Sequence, residues 1–93
     1  MKAIYRKTVI AESDKTVMVD GNHYFPMNSI KKEYLEESDY RTTCPWKGRA
    51  HYFHVKVEGK QSQDAAWTYP EPKDAAAEIK DHVAFWKDVE VAE

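Results

Sequence analysis

The chain has 93 residues, 42% hydrophobic and 13% aromatic; so short a chain buries too little surface for two independent cores, and it reads as one domain spanning residues 1–93 whose interior leans on Tyr, Trp and Phe. Sixteen acids against fourteen bases give a net charge of −2, and the cations are scattered from Lys2 to Lys87, so no basic stripe tracks a phosphate backbone and nucleic acid is not an expected partner. Apolar stretches such as Thr16–Val19 and Val83–Trp86 are far shorter than a bilayer span and the first seven residues lack a signal-peptide core, so no membrane partner and a cytosolic location are expected.

Ala3 to Glu12 mixes Ile4, Tyr5, Val9 and Ile10 with charges in loose alternation and ends at Ser13-Asp14, which predicts one strand and then a turn. Thr16-Val17-Met18-Val19 is β-branched and apolar, and Asp20-Gly21-Asn22 tolerates positive φ before His23-Tyr24-Phe25, a hairpin pattern closed by Pro26. Asn28-Ser29 suits the start of a short helical turn carrying Ile30, while Lys32 to Glu36 fits either a helical turn or a short strand. Ser38 to Gly48 has no clean period and holds Pro45 and Gly48, so an ordered loop is expected there. Arg49 to Glu58 alternates Phe53, Val55 and Val57 against Tyr52, His54 and Lys56, and Gly59-Lys60 permits a tight reversal into Gln61 to Tyr69. Beyond Pro72, Lys73 to Lys80 is rich in strong helix formers and predicts a short helix, and His82 to Val91 returns to strand chemistry.

The run Thr42-Thr43-Cys44-Pro45-Trp46-Lys47-Gly48-Arg49-Ala50-His51-Tyr52 resembles the signature Thr-x-Cys-Pro-aromatic-Lys-Gly-x-Ala-x-Tyr of the domain-of-unknown-function 427 family. Ala66-Trp67-Thr68-Tyr69-Pro70-Glu71-Pro72 resembles that family's Ala-Trp-Ser-Tyr-Pro-x-Pro, Val83-Ala84-Phe85-Trp86 its Val-Ala-Phe-Tyr, and Tyr24-Phe25-Pro26 also fits. The likeness runs through nearly the whole chain with its motifs in order. It implies a compact β fold of a tent-like class shared with zinc modules that use four cysteines, and it carries a nucleotidyltransferase label. The expected fold is therefore mainly β, a small tent-like or barrel-like antiparallel sheet with one or two short helices.

Residue chemistry sets what that label would require. Metal-dependent nucleotidyl transfer uses clustered carboxylates, and only Asp88-Val89-Glu90 has the spacing, at what reads as a solvated strand end. No phosphate-loop motif is present. Cys44 is the only cysteine, which excludes an internal disulfide and any zinc site of two or more thiolates; no metal and no cofactor are expected. The catalytic candidate is Cys44, because Arg41, Lys47, His51 and His54 lie near it in sequence and positive charge favours a thiolate, although an isolated Cys is also an ordinary buried residue. Lys47-Gly48 is the nearest thing to an anion-reading pair, the glycine admitting close approach and the lysine supplying charge, unless Gly48 merely turns the chain into the following strand and Lys47 lies on the surface. Trp46, Tyr52, Trp67 and Tyr69 wall a pocket for a planar ligand or fill the core. The expected ligand set is Arg41, Thr42, Trp46, Lys47, Gly48, Tyr52, Trp67 and Tyr69, and the partner a small, nucleotide-like or anionic molecule. The alternative is a module that binds a protein through its loops and has no small-molecule site. No reaction is assigned by the sequence.

Overall fold

A computed structural model describes all 93 residues, Met1–Glu93. The chain is mainly β, with nine strands: β1 (Lys2–Tyr5), β2 (Thr8–Glu12), β3 (Val17–Val19), β4 (Asn22–Pro26), β5 (Leu35–Cys44), β6 (Gly48–Val57), β7 (Lys60–Thr68), β8 (His82–Phe85) and β9 (Glu90–Ala92). They form a three-stranded sheet in the order β2-β1-β9 and a six-stranded sheet in the order β3-β4-β8-β7-β6-β5, every pairing antiparallel. Neither sheet closes on itself, so the fold is two open sheets rather than a barrel.

Side-chain alternation divides the six-stranded sheet into two faces. Phe25 on β4, Val83 and Phe85 on β8, Ala66 on β7 and Val55 and Val57 on β6 join Ala3, Tyr5, Ile10 and Ala11 of the small sheet in one core. Their sequence neighbours point the other way: Tyr24, Ala84, Trp67, Tyr52 and Ala50 gather with Ala76 and Ile79 in a second cluster. The small sheet packs on the first face, and the segment Asp74–Ile79 covers only part of the second. Trp67 and Tyr52 stay half-buried there.

Several expectations are corrected. Ala3 to Glu12 is a hairpin and not one strand, because Arg6 and Lys7 turn the chain at φ of 50° and 64°. Ser38 to Cys44 is not a loop; it is the second half of β5, paired to β6 at Arg41↔His51, Thr42↔Ala50 and Thr43↔Arg49. The open choice at Lys32 to Glu36 resolves to both forms, a 3₁₀ turn at Lys32–Tyr34 followed by the start of β5. The short helix expected at Lys73 to Lys80 is present, but as 3₁₀ over Asp74–Ile79 and broken at Ala76, whose φ is −123°. A piece so short cannot repay α-helix nucleation, and burying Ala76 and Ile79 on the sheet sets its shape instead. His82 to Val91 splits into β8 and β9, which belong to different sheets.

β6 carries an irregularity on each side. Between Glu37 and Arg41, β5 holds two residues more than β6, and between Phe53 and Val55, β7 holds two more than β6. The bulges are tied together: Ser38 Oγ donates to Asp64 Oδ1, the Asp64 backbone N–H donates to His54 Nδ1 at 3.1 Å, and Arg41 Nη1 donates to the Ser38 carbonyl at 2.8 Å. Bulges bend strands and re-aim side chains, and here they shape the sheet beside both hollows described below.

Candidate ligand-binding site

The second face of the large sheet carries a row of rings. Register places Tyr52 opposite Trp67 and Trp67 opposite Ala84, while the pairing of Phe25 with Val83 puts Tyr24 beside Ala84 on the far side. Ala84 is fully buried and small, so Tyr24 and Trp67 meet edge to face above it with centroids 6.2 Å apart, and Trp67 Nε1 donates to Tyr24 Oη at 3.2 Å. Tyr52 lies 6.3 Å from Trp67 and 4.8 Å from Tyr40, and Trp86 stands at right angles to Trp67 at 6.0 Å. Thr42 Oγ1 and Tyr52 Oη share a hydrogen bond of 3.0 Å, which fixes the tyrosine ring.

Lys47 enters this row from the loop between β5 and β6. Although 8% exposed, it is not unpaired: Nζ donates to Asp20 Oδ2 at 2.6 Å and lies 5.2 Å from the Trp46 ring and 5.8 Å from the Tyr69 ring. Burial alone would lower its pKa, but the hydrogen bond to Asp20, helped by Tyr24 and Tyr69, leaves it raised above the ordinary lysine value. Burial pushes the Tyr69 phenol up to about 12 despite the ammonium beside it. Burial also raises Tyr24, against the opposing hydrogen bond from Trp67.

Lys47, Tyr52, Trp67, Tyr69 and Trp86 line one hollow of about 150 Å³. Of the residues expected from sequence, Lys47, Tyr52, Trp67 and Tyr69 therefore come together, and Thr42 supports them from behind. Trp46 is 41% exposed and flanks Lys47 outside the lining. Gly48 serves the chain rather than a ligand: at φ of +121° it lets the loop after β7 approach so closely that a Cβ would sit 3.2 Å from the Glu71 carbonyl. Lys73 secures that approach through its backbone N–H to the Lys47 carbonyl at 2.9 Å and its Nζ to the Pro45 carbonyl at 2.7 Å. Cys44 is half-buried against the second cluster and does not line the hollow. Arg41 does not line the hollow: it lies with His51, Phe53 and Thr68 in a second cleft of about 110 Å³ whose wall also includes Tyr52.

Trp86 and Asp20 belong to the site and were not expected from the sequence. Trp86 carried a usable signal, standing two residues after Ala84 and so on its face. Asp20 carried none, being 27 residues from the lysine it holds. No group of three or more His, Cys, Asp or Glu side chains gathers in metal-holding geometry, and Asp88 accepts a hydrogen bond from Ser62 at 2.8 Å. No helix is long and apolar enough to cross a membrane.

Comparison with known proteins bears on the same residues. No curated protein matches the chain. A family model described as a domain of unknown function (DUF427) matches residues 1–93. That match takes in both the loop that delivers Lys47 and the strand that carries Trp67, and the chain belongs to the DUF427 family.

Proposed function

We propose that the chain is a ligand-binding domain that seats one planar ring of a small molecule, of nucleobase type, against Trp67, with Lys47 Nζ donating to an oxygen on the edge of that ring. The observation that carries this reading is the convergence of four aromatic side chains and one ammonium on a single hollow of about 150 Å³. A dry cavity of about that volume takes a benzene-sized ring, whereas pockets that enclose a drug-sized molecule run from about 300 to 1,000 Å³. The sugar and phosphates of a nucleotide would lie outside. Asp20 already neutralises Lys47, so the ammonium selects an acceptor oxygen rather than a full negative charge. It also occupies the neighbourhood of the Trp46 and Tyr69 rings, which disfavours a cationic ligand. The lining holds no carboxylate or thiol, and the reading is of binding, not of nucleotidyl transfer.

A thermal-shift series with uridine, adenosine and orotate tests it. A compound at about a hundred times its dissociation constant stabilises by about 2.7 kcal/mol, and Trp86→Ala should weaken it by roughly five- to a hundred-fold, the worth of one stacking ring. No shift with any planar compound would remove the reading. The second reading, docking of a protein partner, is favoured by the exposure of Tyr40, Trp46 and Trp86, at 50%, 41% and 44%. The two part at Tyr40 and Trp46, which lie outside the hollow: their replacement by Ala leaves small-ligand binding intact and disrupts a protein interface.

A further inference from the structure

The opposite face of the large sheet holds a second opening with different chemistry. One cleft of about 110 Å³, lined by Arg41, His51 and Thr68 among others, adjoins another of about 290 Å³ lined by Arg49, His51, Pro70 and Glu71; His51 and Pro70 are common to both. Arg41 and Arg49 bracket His51 in the strand ladder, Arg41 directly across from it and Arg49 two residues before it on β6. The ion pairs of the protein are Lys47–Asp20, His54–Asp64 and Lys56–Glu36, so neither guanidinium is matched to a carboxylate.

Arg41 is also held in place. Its Nη1 donates to the carbonyls of Ser38 and Tyr40 at 2.8 and 2.9 Å, which fixes the planar fork on the bulge and leaves its other donors available. Glu37 and Glu71 are the acidic side chains at the cleft. Their effect on the half-buried His51 is smaller than that of the two arginines: partial burial first, then Arg41 and Arg49, lower the imidazole below its ordinary value against the pull of Glu71 and Glu37. At the imidazole the two arginines therefore outweigh the two glutamates.

We propose that the cleft formed by Arg41, Arg49 and His51 is a binding site for a phosphoryl dianion, either inorganic phosphate or the phosphate of a small monoester. Two guanidinium forks and one imidazole supply donors in more than one direction, the arrangement a tetrahedral oxyanion needs. The wider cavity beside Arg49 leaves room for the ester group. The lining of the site shares only Tyr52 with the aromatic hollow, and the site does not depend on a ligand there.

The test is amide-resolved NMR titration with inorganic phosphate and, in a parallel arm, ribose 5-phosphate, at pH 6 and pH 8. Saturable shifts should centre on Arg41, Arg49 to His51 and Thr68 to Glu71 at pH 8, where the phosphoryl group is the dianion; at pH 6 the loss of dianion opposes any gain of imidazolium at His51, whose charge Arg41, Arg49, Glu37 and Glu71 set. Arg49→Gln, at an exposed position, should weaken binding about tenfold, as loss of one charge-assisted hydrogen bond does, with an unchanged melting temperature. Arg41→Gln should do the same at the price of a slightly looser bulge. Tighter binding of ribose 5-phosphate assigns the site to a monoester, and equal binding assigns it to the free ion. Shifts that rise without saturation over the surface lysines, or equal affinity in Arg49→Gln, would overturn the proposal.

Discussion

Lys47 and Gly48 are adjacent and resolve into different tasks. The lysine faces the rings, held by Asp20, while the glycine faces away and admits the Glu71 to Lys73 segment that pins the loop. Sequence alone left the two as either an anion-reading pair or a turn beside a surface lysine; the fold gives Gly48 the turn and buries Lys47, and the close approach is made by the chain itself. Gly48→Ala should therefore cost roughly 1–3 kcal/mol, since φ of +121° is closed to a side chain and the new Cβ would press on the Glu71 carbonyl. For a domain of this size that is a fall in Tm of about 4–8 °C per kcal/mol, readable in a thermal melt. An unchanged Tm would mean that the loop simply moves aside. The partner of Lys47, Asp20, has a half-exposed side chain (52%), so Lys47→Met strands no buried charge and should change stability by less than about 1 kcal/mol. A chemical denaturation curve checks this, and a larger loss would make the lysine a pillar of the fold instead of a ligand contact.

At the scale of elements, the hairpins at β3–β4 and β6–β7 were legible because both have glycine at the turn and alternating side chains on either arm. The β1–β2 turn was not, since Arg6 and Lys7 adopt positive φ without Gly or Asn to announce it. β5 was hidden for a different reason. The bulge after Glu37 breaks its period, Ser38 is its only buried residue, and an edge strand with both faces largely wet has no hydrophobic pattern to read. The hollow was partly legible: Tyr52, Trp67 and Tyr69 were grouped as rings on adjoining arms of one hairpin, whereas separating Arg41 from them required knowing that β5 continues past Ser38 as a strand paired at Arg41↔His51. Trp67 is the centre of the row, touching Tyr24, Tyr52 and Trp86. Because it is half-buried, Trp67→Ala should cost about 2–4 kcal/mol, somewhat below the full loss for a buried ring. Urea unfolding at constant m-value measures it, and a cost under about 1 kcal/mol would show that the row is ornament on a sheet already stable without it.

Across the whole molecule, the small sheet packs on one face of the large sheet but leaves the β5–β6 end open at Arg41 and His51, and the short Asp74–Ile79 segment covers only part of the other, so the fold leaves an opening on each face. The same burial predicts how stability responds to alkali. The Tyr69 pKa is raised from 10.0 to about 12, so the unfolded chain releases its proton first; stability is complete below pH 10 and falls as pH rises towards 12. The loss from this one group is roughly 2–3 kcal/mol. Tyr24 and Lys47, both raised, act in the same direction. Tyr69→Phe should flatten the decline between pH 10 and 12 in denaturation curves, and an equal slope in both proteins would show that Tyr69 does not drive it. The claim on which the functional account rests is that the hollow receives a ring, and the direct measurement is a titration of uridine followed on the indole N–H signals of Trp67 and Trp86 and the amides of Lys47, Tyr52 and Tyr69. The account predicts saturable shifts at these positions that are lost in Trp86→Ala while Trp46→Ala retains them; indole signals that stay fixed while amides elsewhere move, or no movement at all with any nucleoside, would contradict it.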